Sequence, residues 1–264
     1  MGSFALEDNT GSNNTGCGYG ALAQNTTGSS NTAVGDHALT NNTTGVNNTA
    51  VGYQAADQIT TGGHNTAVGL SALGSNTTGG NNVAVGYDAL TSNTTGGNNI
   101  AVGYQAANNI TTSSNSVAIG HQALYTCTTG GENIAIGLQS LYSLTTASYN
   151  VAIGYDAGED VTTGTRNNLM GWRAGYNLTT GSDNTAVGGR SLITNTTGGS
   201  NTAIGRSALA NNTTASNNTA VGHKALFSNT TQIDSVAVGN FALQLATANQ
   251  NVGVCVSELT ATTT

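Results

Sequence analysis

A parallel β-solenoid is the fold class this chain predicts. Three features carry the prediction: a glycine every 17 residues, short β-branched runs between turn signals, and too few large apolar side chains for an ordinary core. The marker glycines are Gly18, Gly35, Gly52, Gly69, Gly86, Gly103, Gly120, Gly137, Gly154, Gly171, Gly188, Gly205, Gly222 and Gly239, without a slip. A fixed period of this length means one unit stacked on its copies. Such a unit is too short for a pair of helices, and Asn or Gly turn signals flank its β-branched residues, so each coil supplies short strands to parallel stacks. With coils about 4.8 Å apart, some fifteen of them make a rod on the order of 70 Å long.

Composition agrees. Only 6% of residues are charged, proline is absent, and Asn, Thr, Gly and Ala dominate. Yet Val, Ile and Leu recur too regularly for a disordered tract, which suits a thin core extended in one direction. Regular coils cover 14–250, with irregular ends at 1–13 and 251–264, so the sequence reads as a single repeat domain over 1–264. The net charge of −7 is uneven: residues 1–165 carry nine acids and no Lys or Arg, whereas 166–264 carry all five bases against three acids. Nucleic acid is therefore not an expected partner, because it needs clustered positive charge over a whole face. No 18-residue apolar run is present for membrane insertion, and the start MGSFALEDNT lacks a signal-peptide layout.

The consensus N-T-A-V-G-Y-x-A-L-x-x-N-T-T-G-x-N, numbered 1 to 17, fixes expectations position by position. Asn at position 1 recurs in twelve of fourteen copies and suits a hydrogen-bonded ladder along the stack. Position 4 is apolar in every copy, from Cys17 and Val34 through Met170 to Val238, and is expected to point into the coil. Position 3 then faces outward, since side chains alternate along a strand. It is nevertheless Ala in twelve copies. Either a tight coil merely tolerates Ala there, or a second buried surface exists; the expectation is a subunit interface built on Ala33, Ala50, Ala67, Ala84, Ala101, Ala118, Ala135 and Ala152, most simply in a parallel homotrimer. Position 9 is Leu in ten copies but Ala56, Ala107, Gly158 or Gly175 in four, and in those four position 12 becomes Ile59, Ile110, Val161 or Leu178. The two side chains take turns filling one core space, and Asn at position 12 elsewhere satisfies turn backbone. Leu141 with Leu144 shows that the rule runs one way only. At positions 13 and 14, adjacent Thr columns are expected to face opposite ways, one of them inward.

Little here resembles catalytic chemistry. Cys17 and Cys127 read as small core residues, and Cys255 as a potential bridge between chains. His37, His64, His121 and His223 share no metal-ligand spacing, and Asp156, Glu159 and Asp160 read as an exposed loop cluster. No enzyme activity, metal or cofactor is expected. Asn-Thr-Thr sequons such as Asn42 and Asn93 follow from the repeat itself. Two features suggest binding surfaces. Rings at position 6 (Tyr53, Tyr87, Tyr104, Tyr155, Trp172) offer flat faces to sugars or proteins, or simply cover turn backbone. A basic stripe of Arg173, Arg190, Arg206 and Lys224 suits an anionic glycan or a phosphate-bearing surface, or simply serves solubility.

Residues 115–120, NSVAIG, resemble the head repeat of trimeric autotransporter adhesins, a haemagglutinin-type β-roll, and the NTAVGYxAL text is similar to repeats in bacteriophage tail fibres. The period of 17 is longer than that head repeat by the T-T-G turn. The resemblance implies a left-handed coil, a homotrimer and attachment to a host surface, through a glycan or a protein. The expected function is a non-enzymatic fibre or adhesin segment, of tail-fibre type, placed outside the cell or on a virion. A subunit stacking end to end into an extracellular filament is the alternative. Ice binding ranks lower, because adjacent threonines at 13 and 14 form no outward Thr-x-Thr pair.

Overall fold

A computed structural model describes residues 2–246 and 248–254. It is a parallel β-solenoid with 17 residues per turn, and no helix occurs among the described residues. Its fifteen described strands are three residues long and occupy positions 2 to 4. The chain separates into two compact units, Met1–Glu132 and Asn133–Thr264. Contacts in a solenoid reach only to neighbouring coils, so no compositional break marks the division. In the first unit β1 (Thr15–Cys17) to β7 (Val117–Ile119) pair in chain order, and in the second β8 (Ile134–Ile136) to β15 (Val252–Val254) do the same. The pairs are parallel and set each repeat position opposite the same position of the next coil: Thr32 opposite Thr49, Ala33 opposite Ala50, Val34 opposite Val51. Backbone bonds close the ladder, for instance Thr32 N–H to Asn48 O at 2.8 Å and Gly35 N–H to Cys17 O at 2.8 Å.

The marker glycine has a steric cause. Gly52 has φ of 142°, and a Cβ there would lie 2.4 Å from Gly69 O on the next coil. Neither the conformation nor the approach admits a side chain. Positions 7, 9 and 17 also adopt left-handed backbone, yet they carry ordinary residues such as His37, Leu39 and Asn47 at φ of 55°, 51° and 58°. Each costs on the order of 1 kcal/mol. The turns they make send N–H groups to both neighbours: His37 N–H bonds to Tyr19 O behind, and Leu39 N–H to Ala55 O ahead. A coil thus exchanges local strain for bonds to the coils on either side.

The strand faces are the reverse of the sequence expectation. Alanine at position 3 is inside: Ala33, Ala50, Ala67, Ala84, Ala101, Ala118, Ala135 and Ala152 are 0% exposed within the single chain. These alanines therefore form no subunit interface. Position 4 points outward, with Val34 and Val51 near 38% and 37% exposed, and Cys17 is exposed with them. The cause is the narrowness of the coil. A Cβ at Gly253, which stands at position 3, would lie 2.6 Å from Leu243 Cγ of the preceding coil. Leucine at position 9 crosses the interior to meet position 3, so that in coils with that leucine nothing larger than alanine fits there, and at Gly253 not even a Cβ does.

That geometry also explains the irregular copies. Leu169 is the one large residue at position 3, and the missing Cβ atoms of Gly158 and Gly175 would lie 2.6 and 2.7 Å from its Cδ atoms. The Gly158 Cβ would also stand 3.3 Å from Val161 and 3.1 Å from Leu141. Positions 9 and 12 do share one space, with position 3 as a third claimant. Leu141 and Leu144 coexist because Gly158 on the next coil yields room.

Two asparagine ladders complete the interior. At position 1, Asn48 N–H donates to Asn31 Oδ1 at 2.9 Å while Asn48 Nδ2 donates to Gly62 O at 2.8 Å. At position 12, Asn42 Nδ2 donates to Asn25 Oδ1 at 2.6 Å and to Gly45 O at 3.1 Å. The sequon asparagines Asn42 and Asn93 are 0% exposed, which closes them to glycosylation in the folded chain. Neither Thr column is buried, contrary to expectation. Position 13 forms a ladder through its hydroxyl, Thr43 Oγ1 donating to Thr60 O at 3.0 Å, while position 14 lies exposed.

Candidate functional site

Because alanine fills the interior, the larger apolar side chains of each strand are left outside. In the first unit, positions 2 and 4 run from Thr32 and Val34 to Val117 and Ile119; in the second, Ile134 and Ile136 lead on through Val151 and Ile153. Ile100, Ile119, Ile153 and Ile204 are each more than a third exposed. No described strand carries a charged residue at either position. The outward face of the described strands is thus an uncharged array of Val, Ile and Thr, with Cys17, Met170 and Asn168 as its exceptions.

A second surface lies on the turns of the second unit. Arg173, Arg190, Arg206 and Lys224 line one groove of about 560 Å³. Its depth comes from small residues on one coil: Ser207 and Ala210 are 8% and 4% exposed and form the floor. In the column of Ala210, Phe227 stands one coil after it and Tyr176 two coils before it, with Ile193 between. These rings hold two of the cations, with the Arg173 guanidinium 4.9 Å from the Tyr176 centroid and Lys224 Nζ 5.3 Å from that of Phe227. Arg173 Nε also bonds to Asp156 Oδ2 at 3.1 Å, and that bond raises its pKa. Among the described residues, Arg190 and Arg206 form no ion pair, and no carboxylate lines the groove.

The acidic cluster sits beside this groove, and Asp156 is not the exposed loop charge expected from sequence. Its side chain is 4% exposed, and Oδ1 has no hydrogen-bond partner. Burial raises the pKa of Glu159, with the charges of Asp156 and Asp160 adding to it, and burial also raises that of Asp160. Among the described residues no three His, Cys, Asp or Glu side chains come together to hold a metal ion.

The position 6 rings form a column. Tyr87 stacks on Tyr104 at 5.2 Å and 9°, and Tyr104 on His121 at 5.1 Å and 11°. Tyr53, Tyr155 and Trp172 are about half exposed. In the stacked stretch the ring faces are spent on one another, so edges rather than faces meet solvent. Cys127 is buried, as expected from sequence, and Cys255 lies outside the described residues. The groove itself was only half visible in sequence. Its cations were legible, whereas its floor depends on small residues at positions 7 and 10 falling in one coil. No protein-family model and no curated protein matches the chain. Fold and surface chemistry, rather than kinship, therefore carry the functional reading.

Proposed function

We propose that this chain is a structural fibre or adhesin segment that associates with copies of itself through the outward strand face, on the outside of a cell or on a virion. The observation that carries the reading is that face: Val, Ile and Thr at positions 2 and 4, in register from coil to coil and uncharged. A second copy is the partner that fits best, because its coils have the same pitch and its face the same chemistry, and parallel copies then meet coil on coil. The resemblance to adhesin head repeats implies three copies and a left-handed coil. Burying the strand face between copies leaves the turns, with their rings and cations, to meet a host surface.

Sedimentation equilibrium of the purified protein at micromolar concentration tests this. A trimer is the expected species; a monomer refutes the reading, and open-ended polymers replace the trimer with a filament. One observation favours ice binding as a second reading: Thr32, Thr49 and Thr66, and again Thr185, Thr202 and Thr219, face outward in register. Val83 to Val151 and Asn168 interrupt that column, so the fibre reading is preferred. A monomer with thermal hysteresis would reverse the preference.

A further inference from the structure

We propose that the groove on the second unit is a binding site for a short acidic oligosaccharide bearing carboxylate or sulfate groups. The proposal deepens the attachment part of the reading above. It rests on the groove alone and not on association of copies, so either can fail without the other.

Four of the chain's five Lys and Arg residues converge on this groove. They come from four successive coils, so the solenoid spaces them at about 4.8 Å per step along the axis. An extended oligosaccharide that carries acidic groups along its length presents anions on a similar scale. The cations are organised in advance. Arg173 is fixed through Nε and lies over Tyr176, while Lys224 is placed between Phe227 and Phe241, 5.3 and 5.7 Å from their centroids. Less rotamer freedom is then lost on binding. Arg190 and Arg206 are exposed and form no ion pair among the described residues, so their guanidinium forks are available for bidentate contact with a carboxylate or sulfate.

Neutral groups complete the case for a sugar. Asn177 and Asn211 line the same groove and suit hydroxyl groups, with Ile193 and Ala210 between the two rings in their column. The long-range field argues against a nucleic acid. Residues 133–264 hold five bases (Arg166, Arg173, Arg190, Arg206, Lys224) and six acids (Asp156, Glu159, Asp160, Asp183, Asp234, Glu258), a net charge of 5 − 6 = −1. A long polyanion meets no extended positive surface there, whereas a short one touches only the local cations. Glu159 occupies the column of Tyr176 one coil earlier and, with Asp160, ends the attractive stretch at Arg173. The footprint is thereby limited to about four coils.

Isothermal titration of the full chain with four probes tests the assignment: a heparin-derived hexasaccharide, a galacturonic acid hexamer, neutral cellohexaose, and a short oligothymidylate. The expected result is binding of at least one acidic sugar, weakened by salt, with cellohexaose and oligothymidylate at least about tenfold weaker. The double variant Arg190→Ala, Arg206→Ala should lose about tenfold or more in affinity for the acidic sugar. Ala210→Tyr fills the floor while keeping all four cations, and should abolish binding if the groove rather than loose charge is the site. Unchanged circular dichroism of both variants establishes that they fold. No binding of either acidic sugar, equal affinity for the neutral sugar or the oligothymidylate, or undiminished affinity in either folded variant overturns the proposal.

Discussion

Cys127 stands at position 12, where seven coils carry Asn, and its Sγ donates to Gly130 O at 3.3 Å, repeating the bond that Asn25 Nδ2 makes to Gly28 O at 2.9 Å. Burial opposes the thiolate and raises the pKa from 9.0 to about 11. The folded chain therefore holds this proton more tightly than the unfolded chain does. The stabilising contribution is fully present below pH 9 and is lost as pH rises from 9 to about 11, amounting to about 2 to 3 kcal/mol. Urea midpoints across that range should fall more steeply for the natural chain than for Cys127→Asn, which restores the consensus bond without a titrating group. Parallel curves would reject the account. Cys17 shows where residue-scale reading of the sequence stops. It shares small size and a repeat position with apolar neighbours, yet it is exposed. Apolar character says that a residue tolerates burial, and it does not say which side of a three-residue strand is sealed.

Within one coil, the exchange between positions 9 and 12 was legible from sequence, because volume is conserved and volume can be read from residue names. Its electrostatic cost was not. A position 12 Asn accepts at Oδ1 from the next coil's amide where that coil also carries Asn, as Asn76 does from Asn93 at 2.9 Å. Where the next coil has Ile59, Ile110 or Ala246 the ladder stops, and Asn42, Asn93 and Asn229 are left with Oδ1 buried and unpartnered. Ala56→Leu alone should overpack the coil and cost about 1 to 3 kcal/mol. Ala56 has φ of 51°, like Leu39, so the backbone already suits Leu. Adding Ile59→Asn frees the space and gives Asn42 Oδ1 its missing donor, joining the ladder through Asn42 to the one through Asn76. The double variant is therefore expected to exceed the natural chain by about 1 kcal/mol. Urea denaturation of both variants checks this; a double variant no more stable than the single one removes the shared-space account. Leu169 between Gly158 and Gly175 follows the same logic, but it could not be recognised while position 3 was placed on the outside.

At the scale of the molecule, the period fixed the stacking, and strand alternation fixed that positions 3 and 4 differ. Only the coil's cross-section decides which of them is inside. Alanine is inside because leucine from position 9 crosses a narrow interior, and valine is therefore outside. The two assignments predict opposite phenotypes for neighbouring residues. Ala50 is 0% exposed and Val51 37% exposed. Ala50→Glu places a carboxylate in a sealed core and should cost more than about 4 kcal/mol, enough to unfold the surrounding coils. Val51→Glu with Ile119→Glu charges only the outward face; each should cost under about 1 kcal/mol in the single chain while opposing association. If copies do pack on this face, the melting temperature of the natural chain rises with protein concentration, since association stabilises only the folded state. The Val51→Glu, Ile119→Glu chain should keep its β circular dichroism, sediment as a monomer and melt at one temperature over the same concentrations. A folded Ala50→Glu chain that merely dissociates would restore alanine to the interface, and a doubly charged chain that still associates would move the interface off this face.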